Sequence, residues 1–297
     1  MQTFDANKDY AYFASLWGDN DPKKADNPMS NWDNRAESWE LLLGCDSAFK
    51  QSLNERVIKA ASFLRERGLL DPHSMVADIG CGTGRFITEF AKTAGHVTGI
   101  DVSEKMLGLA RRHSEENGIT NTSYILSDFT RADVDKEGWA GAFDLVFTSI
   151  TGAIDGVSNL EKLIRMSKGY CFNSSFIRNC DDLEKEVAIN VFGIDLKPAY
   201  APGGRSFYAL FNLVWLAGYF PETCYHKQLS NKMVPVDDEL AEYYTWSIFK
   251  ETKADAGAKI RIKEYLLKNS VNEMIRQYTE RWYGWILWDV REKDRRV

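Results

Sequence analysis

Val76-Ala77-Asp78-Ile79-Gly80-Cys81-Gly82-Thr83-Gly84 is where residue types and spacing in this chain bear most directly on chemistry. An apolar run of strand character carries one acid, Asp78, and breaks into a turn with glycine at every second position: Gly80, Gly82 and Gly84. Phe86, Ile87, Phe90 and Ala91 then follow at helical spacing. Strand, tight glycine turn and helix start form a nucleotide-binding corner, because glycine lets backbone approach a ligand closely. The spacing is G-x-G-x-G. The dinucleotide fingerprint would need a third glycine where Arg85 stands, and the phosphate loop of nucleotide triphosphatases would need a Gly-Lys pair that does not follow. Two more acids close later strand-like runs, Asp101 after Val97-Thr98-Gly99-Ile100 and Asp128 after Ser123–Leu126. A carboxylate accepts several hydrogen bonds at once, so each suits a ligand rich in hydroxyl or amino donors.

The elements that must position these residues alternate regularly. Leu53, Val57, Ile58, Ala61 and Leu64 mark one face of a helix ending at Gly68, and Asp71-Pro72 breaks the chain. Strand Met75–Ile79 leads to a helix from Arg85 to Ala94. Strand His96–Ile100 leads to a helix capped by Ser103 and running to His113. Strands Ser123–Leu126 and Phe143–Thr148 follow. A helix opening with the capping box Ser158-x-x-Glu161 precedes strand Tyr170–Asn173. Such alternation predicts an α/β fold with a parallel, doubly wound sheet. Beyond residue 178 the rhythm changes. Asp181–Phe192 reads as helix, Lys197–Arg205 as a Pro/Gly loop, Phe207–Tyr219 as an aromatic helix and Thr223–Leu229 as a strand. Asp237–Asn269 reads as mostly helix, and Trp282–Val290 as a closing strand.

With 297 residues and 44% hydrophobic content, the chain can hold one large domain or a domain with a cap. The net charge of −6 argues against a nucleic-acid surface, which usually needs a basic face. Five scattered cysteines without a C-x-x-C pair suggest no metal site and fit reduced thiols in a cytoplasm. The first 20 residues have no apolar signal core, and Ala209–Phe220 is too short to span a bilayer. A cytoplasmic protein with no membrane partner is expected.

Hydrophobic-hydrophobic-Asp-hydrophobic-Gly-x-Gly-x-Gly resembles the first motif of the class I S-adenosylmethionine-dependent methyltransferases. Val102-Ser103-Glu104-Lys105-Met106-Leu107 after Asp101, Ser127-Asp128-Phe129, and Phe143-Asp144-Leu145-Val146-Phe147-Thr148-Ser149 resemble its later motifs, in order, across roughly residues 75–150. The resemblance implies a Rossmann-like, doubly wound seven-stranded sheet, mostly parallel with the last strand antiparallel. It also implies an N-terminal helical lid and a helical, aromatic cap insertion. On it the chain divides into a lid (1–70), a cofactor-binding core (71–178), a cap (179–222) and a C-terminal part completing the sheet (223–297). S-adenosyl-L-methionine would be the cofactor and S-adenosyl-L-homocysteine the product. Gly80, Cys81, Gly82 and Gly84 would form the cradle, where a side chain at Gly80 or Gly82 would occupy the ligand's volume. Asp78 would orient the methionine ammonium and Asp101 the ribose diol. Val102 and Met106 would sit against the adenine, which Asp128 and Phe129 would also contact. Thr148, Ser149 and the residues to Thr151 would line the reaction site. Trp32-Asp33-Asn34-Arg35-Ala36 resembles a lid motif in which Trp32 and Arg35 approach the cofactor, the Arg35 guanidinium pairing with the cofactor's carboxylate; a solvent-exposed arginine is the alternative.

The family has no fixed catalytic residue, since methyl transfer is an in-line displacement that rests on alignment and exclusion of water. Thr148-Ser149-Ile150-Thr151 stands where amino-group methyltransferases carry [DN]-P-P-[YFW], which disfavours that chemistry. Phe207, Tyr208, Phe211, Trp215, Tyr219 and Phe220 can line a pocket for a small organic acceptor; their helical spacing equally fits plain packing. Of four histidines His226 is the best base candidate, with Asp155 and Tyr200 comparable. A small-molecule acceptor is expected, with a protein or tRNA acceptor, or a non-catalytic binding module, as alternatives.

Overall fold

The computed structural model describes residues 6–17, 32–33, 36, 48–154, 156–196, 202–249 and 254–294. The chain separates into two compact units, one of residues 1–175, 205–224 and 284–297, the other of 176–204 and 225–283. The second unit thus draws chain from both the expected cap and the expected C-terminal part.

In the first unit, helix α1 (Ala6–Trp17) and helix α2 (Ala48–Glu66) precede the sheet. Helix α2 buries Leu53, Val57, Ala60, Ala61 and Leu64. Ile58, expected on that face, is 55% exposed. It lies about 140° round the helix from Leu53, and Ala60 takes the inner place.

Next come β1 (Met75–Ile79), α3 (Arg85–Phe90), β2 (His96–Asp101), α4 (Glu104–Glu116), β3 (Thr122–Leu126), β4 (Phe143–Ser149), α5 (Val157–Met166) and β5 (Ser167–Asp181). The strand order is β3-β2-β1-β4-β5-β7-β6. Strands β3, β2, β1, β4 and β5 are parallel, and antiparallel pairing enters with the last strands. Val76, Ala77, Ile79, Val97, Ile100, Leu145 and Phe147 are wholly buried, as central strands covered on both faces require. The strand order reverses between β1 and β4, the point at which open parallel sheets carry their ligand sites at the strands' carboxyl ends.

An aromatic column fixes one face of the sheet. The Phe147 ring lies 4.8 Å from both Phe86 and Phe90, and Phe172 stacks on it at 5.0 Å. Trp285 continues the column 5.8 Å from Phe172, and Phe63 of α2 sits 5.1 Å from Trp285. Each contact contributes about 0.5–1.5 kcal/mol beyond burial and clamps α2 and α3 over the strands.

Three local expectations are corrected. Helix α3 stops at Phe90, with Ala91 as its C-cap. The capping box at Ser158 does not form, because α5 starts at Val157 after Gly156, leaving Ser158 inside the first turn. Residues 202–204, expected as loop, begin α7 (Pro202–Leu216), since proline fits the first helical position.

The second unit contains the far end of β5, α6 (Asp182–Phe192), most of β6 (Glu222–Pro235), α8 (Asp238–Ile248), α9 (Ala258–Lys268) and most of β7 (Met274–Asp289). Strand β5 runs well past the expected Asn173 and ends in Asp181, which caps α6 by accepting from the Glu184 N–H. Leu183 and Val187 of α6, Tyr244 of α8 and Ile262 and Leu266 of α9 share its core with Val234 and Ile275 of the strands. Among the described residues, no helix is long and apolar enough to cross a membrane.

Candidate functional site

The turn after β1 is built from three left-handed residues, Gly80, Gly82 and Gly84, at φ 70°, 51° and 72°. Residues with a Cβ are strained there. The Gly80 N–H donates to the Ile100 carbonyl at 2.8 Å, and the Gly84 N–H to the Cys81 carbonyl at 3.1 Å. Asp101, at the tip of β2, then pins the turn. Its Oδ2 accepts the Gly82 N–H at 2.8 Å and its Oδ1 the Ser103 N–H at 3.0 Å. One carboxylate therefore ties the glycine turn to the start of α4.

The three glycines serve different ends. A Cβ on Gly84 would lie 2.6 Å from the Cβ of Ala110, so this glycine lets α4 pack closely. A Cβ on Gly80 would lie 2.0 Å from Thr151 Oγ1. That corrects the expectation of open ligand volume over Gly80, because the Thr151 side chain fills it. Gly82 alone matches it: a Cβ there meets nothing within 4 Å.

Asp78 is the electrostatic centre of the site. It is 2% exposed, and its Oδ2 is buried without a hydrogen-bond partner. Burial, aided by the charge of Asp101, pushes its carboxyl up to about 8; the Arg56 guanidinium from α2 pulls the other way. Asp101 is also raised, by burial first, against the backbone N–H groups of Ser103, Gly82 and Val102 that hold it down. Two acids with one unmet oxygen at the carboxyl ends of adjacent strands suit a cationic, hydroxyl-bearing ligand.

The remaining predicted residues divide by what their side chains touch. Met106 is buried 3% exposed, its N–H on the Ser103 hydroxyl at 3.2 Å, and Val102 is half-buried. Cys81 turns inward against Gly99, and burial pushes its thiol up, so only its backbone faces the turn. Asp128 Oδ1 accepts from the Thr130 N–H at 3.0 Å and the Thr130 hydroxyl at 2.6 Å, while Phe129 is buried. Thr148 is wholly buried; its hydroxyl donates to the Phe172 carbonyl at 3.0 Å and accepts from Asn173 Nδ2 at 2.9 Å. Its side chain is thus held inside the sheet layer rather than presented to a ligand. Ser149 differs: its hydroxyl is buried without a partner. Trp32 is half-buried, and its neighbour Asp33 accepts from the Ser103 hydroxyl, bringing the N-terminal segment to the head of α4. Arg35, Asp155 and Tyr200 lie outside the described residues. His226 belongs to the second unit, where its ring stacks on Tyr283 at 6.3 Å.

Sequence reasoning missed three participants. Arg56 of α2 acts on the Asp78 carboxyl through its charge, a relation no local pattern contains. Ser174, opposite Ser149 in the β4–β5 register, carries a second buried hydroxyl without a partner. Lys162 of α5 donates to the carbonyls of Phe129 and Thr130 at 3.1 and 2.7 Å, with its ammonium 5.7 Å from the Phe129 ring. Ile150, the next residue after β4, has φ 51°, a strained value for a β-branched residue.

A family model described as a methyltransferase domain matches residues 70–211. The 23S rRNA (uracil(1939)-C(5))-methyltransferase RlmD of Shewanella sediminis is 30% identical over 139 residues, which is 45% of this chain. The chain spans only 30% of that relative's length. A solved structure of magnesium protoporphyrin IX methyltransferase from Synechocystis PCC 6803 with bound SAH aligns over 94% of this chain and 99% of its own. The identity is 15% and the TM-score 0.48. The ubiquinone biosynthesis O-methyltransferase of Burkholderia vietnamiensis is 31% identical over 170 residues, 54% of this chain and 69% of that protein. A match across that share of an enzyme, together with a methyltransferase-domain model that covers the glycine turn and its acids, makes this chain a member of the class I S-adenosylmethionine-dependent methyltransferases.

Proposed function

We propose that the chain methylates a small organic acceptor, and that the corner formed by Asp78, the turn Gly80–Gly84 and Asp101 holds its cofactor. The observation that carries the reading is the buried, unpartnered Oδ2 of Asp78 beside a turn that is open at Gly82. A buried carboxylate without a partner is costly, and an ammonium from the methionine moiety removes that cost. Asp101 already spends one acceptor direction of each oxygen on backbone N–H groups and keeps others for a ribose diol. Met106 and Val102, with Asp128 and Phe129 at the tip of β3, supply the apolar and polar surfaces an adenine needs. Trp32 and Arg35 are the lid residues.

When bound, the cofactor supplies a methyl group on a cationic sulfur. The chain's share of the reaction is alignment: the β1 turn fixes one partner while the tip of β4, from Ser149 to Thr151, and the hydroxyl of Ser174 face the place where an acceptor is held. The domains follow this division, with 1–70 as lid, 71–178 as cofactor core, 179–222 as cap and 223–297 closing the sheet, and we read the enzyme as cytoplasmic. His226, Asp155 and Tyr200 are the base candidates.

Calorimetry with S-adenosylhomocysteine tests the corner. Micromolar binding that is weakened about 5- to 150-fold by Asp101→Ala is expected, the range for unmet polar groups; an unaltered affinity defeats the diol assignment. Incubating the enzyme and cofactor with a panel of phenols, acids and amines, and looking for products heavier by one methylene, tests the acceptor class. A ribosomal RNA acceptor is the second reading, favoured by the RlmD relatives. The net charge of −6 weighs against it. Methyl transfer to RNA, with none to the panel, decides for it.

A further inference from the structure

The two edges of the sheet are managed differently. Strand β3, at one edge, has 5 residues, and a short edge offers little to pair with. Strand β6, at the other, has 14, from Glu222 to Pro235. Its side chains alternate strictly. Beyond Glu222, even-numbered residues turn inward, with Gln228 and Val234 buried; odd-numbered ones face out. The outward row carries an apolar stripe, with Tyr225, Leu229 and Met233 exposed at 59%, 59% and 51%. Between them stand Lys227 and Asn231, whose polar groups are already engaged within the sheet. Lys227 Nζ lies 3.2 Å from Glu280 Oε2 and 5.1 Å from the Trp282 ring. Asn231 Oδ1 accepts from Arg276 Nε at 2.9 Å.

We propose that the β6 edge is the contact between two copies of this chain, paired antiparallel about a two-fold axis at Leu229. A two-fold contact must be complementary to itself, residue i facing j and j facing i. With the axis at Leu229, Leu229 faces its own counterpart. Tyr225 faces Met233 of the second copy, and Lys227 faces Asn231 of the second copy. The apolar stripe becomes continuous across the seam, and no like charges stand opposite. Other axes fit the same row less well: one at Gln228 sets Tyr225 against Asn231 and Lys227 against Leu229, and one at Ser230 sets Lys227 against Met233 and Leu229 against Asn231. An axis at Lys227 sets two ammonium groups against each other. An axis at Asn231 runs Tyr225 past the end of the strand at Pro235. Because side chains alternate with period two, a slip by one residue would turn the stripe against the opposite face. Aromatic and apolar cross-strand pairs favour the contact, and the newly paired backbone groups add to it.

Sedimentation velocity over a hundredfold concentration range, on the full chain, tests the proposal. A dimer that Leu229→Lys converts to monomer, with circular dichroism unchanged, supports it; a wild-type monomer throughout, or a dimer untouched by Leu229→Lys, overturns it. Register is read separately by oxidation in a Cys224→Ser background. Leu229→Cys should cross-link to itself. Met233→Cys should cross-link only when mixed with Tyr225→Cys. Self-linking of Met233→Cys without that of Leu229→Cys overturns the register. Amide exchange along β6 adds a check against other occupants. Protection that rises with concentration supports a second copy, whereas protection in the monomer shows the edge covered from within the chain and overturns it.

Discussion

Asp78 and Asp181 stand in matching situations, each a buried acid near the carboxyl end of a sheet strand, and their surroundings treat them in opposite ways. Asp181, 1% exposed, is saturated. Its Oδ1 accepts the Glu184 N–H at 3.1 Å and the Tyr244 hydroxyl at 3.3 Å, and its Oδ2 accepts Gln277 Nε2 at 3.1 Å. Gln277 also donates to the Tyr244 oxygen at 2.7 Å, which closes the network. Burial still lifts the Asp181 carboxyl, to about 6, but these donors hold it within reach of ionisation at neutral pH. Asp78 has no such company, keeps one oxygen unmet, and is lifted to about 8. A satisfied buried acid is a building element of the second unit. The unsatisfied one in the first unit is the acid on which the proposed cofactor corner rests.

The largest effect expected from breaking this contrast is on the saturated side. Asp181→Ala removes the cap of α6, about 1 kcal/mol, and strands the Tyr244 and Gln277 donors at about 1–3 kcal/mol together. A loss of about 2–4 kcal/mol in urea unfolding is the expected outcome, with S-adenosylhomocysteine affinity unchanged; a stability loss below about 1 kcal/mol would show the network to be slack. Next comes Gly80→Ala. Its methyl would meet Thr151 Oγ1 at 2.0 Å in a left-handed backbone. Strain and overpacking together should lower stability by about 2–3 kcal/mol. Gly82→Ala shares the backbone strain but not the clash, since its methyl enters open space. It should lower stability by only about 1 kcal/mol yet abolish S-adenosylhomocysteine binding. If it binds normally, the open space is not the ligand's.

Asp78 gives the sharpest test of the unsatisfied side. Replacement by Asn should leave stability within about 1 kcal/mol, because no bond is lost, while weakening S-adenosylhomocysteine about 5- to 150-fold. The pH dependence has a definite sign. An unfolded aspartate ionises near pH 4, whereas the folded Asp78 carboxyl ionises only near 8. Its contribution to stability is therefore full below about pH 4 and is lost as pH rises through 8. Affinity for a ligand ammonium runs the other way, because the ammonium needs the carboxylate. Calorimetry should show affinity increasing with pH up to about 8 with a proton released on binding, and Asp78→Asn should abolish that slope.

These contrasts also show what was legible beforehand. The five parallel strands and the glycine turn were readable because fully buried strands make unbroken apolar runs and a left-handed turn admits little besides glycine. Asp78 and Asp101 were readable as acids at strand tips, but not which of the two would be left unmet. That depends on the folded turn, which brings the Gly82 and Ser103 N–H groups to Asp101 and none to Asp78 Oδ2. Thr148 and Ser149 are adjacent and chemically alike, yet strand alternation hides the first hydroxyl in contacts with Phe172 and Asn173 and leaves the second unpartnered. Only the register of β5 against β4, which brings Ser174 opposite Ser149, distinguishes them. The second unit was hardest to read, since β5 runs past Asn173 to Asp181 with few apolar residues beyond Ile177, and Gln277 reaches Asp181 from a strand near the other end of the chain.

Ser149 and Ser174 give the smallest stability effect and the finest distinction. Replacing a buried hydroxyl that has no partner with a methyl removes a desolvation cost and no hydrogen bond, so Ser149→Ala and Ser174→Ala should each be neutral or stabilising by up to about 1 kcal/mol. Thr148→Val, next door, should cost about 1–2 kcal/mol because Asn173 Nδ2 and the Phe172 carbonyl both lose a partner. If the strand tips are the acceptor's seat, the two serine variants should raise the acceptor KM while leaving S-adenosylhomocysteine affinity as it was. Melting curves paired with those two constants separate the cases: a destabilised Ser174→Ala would mean that its hydroxyl is bonded in solution, and the tip of β5 would then belong to the scaffold, as Asp181 does.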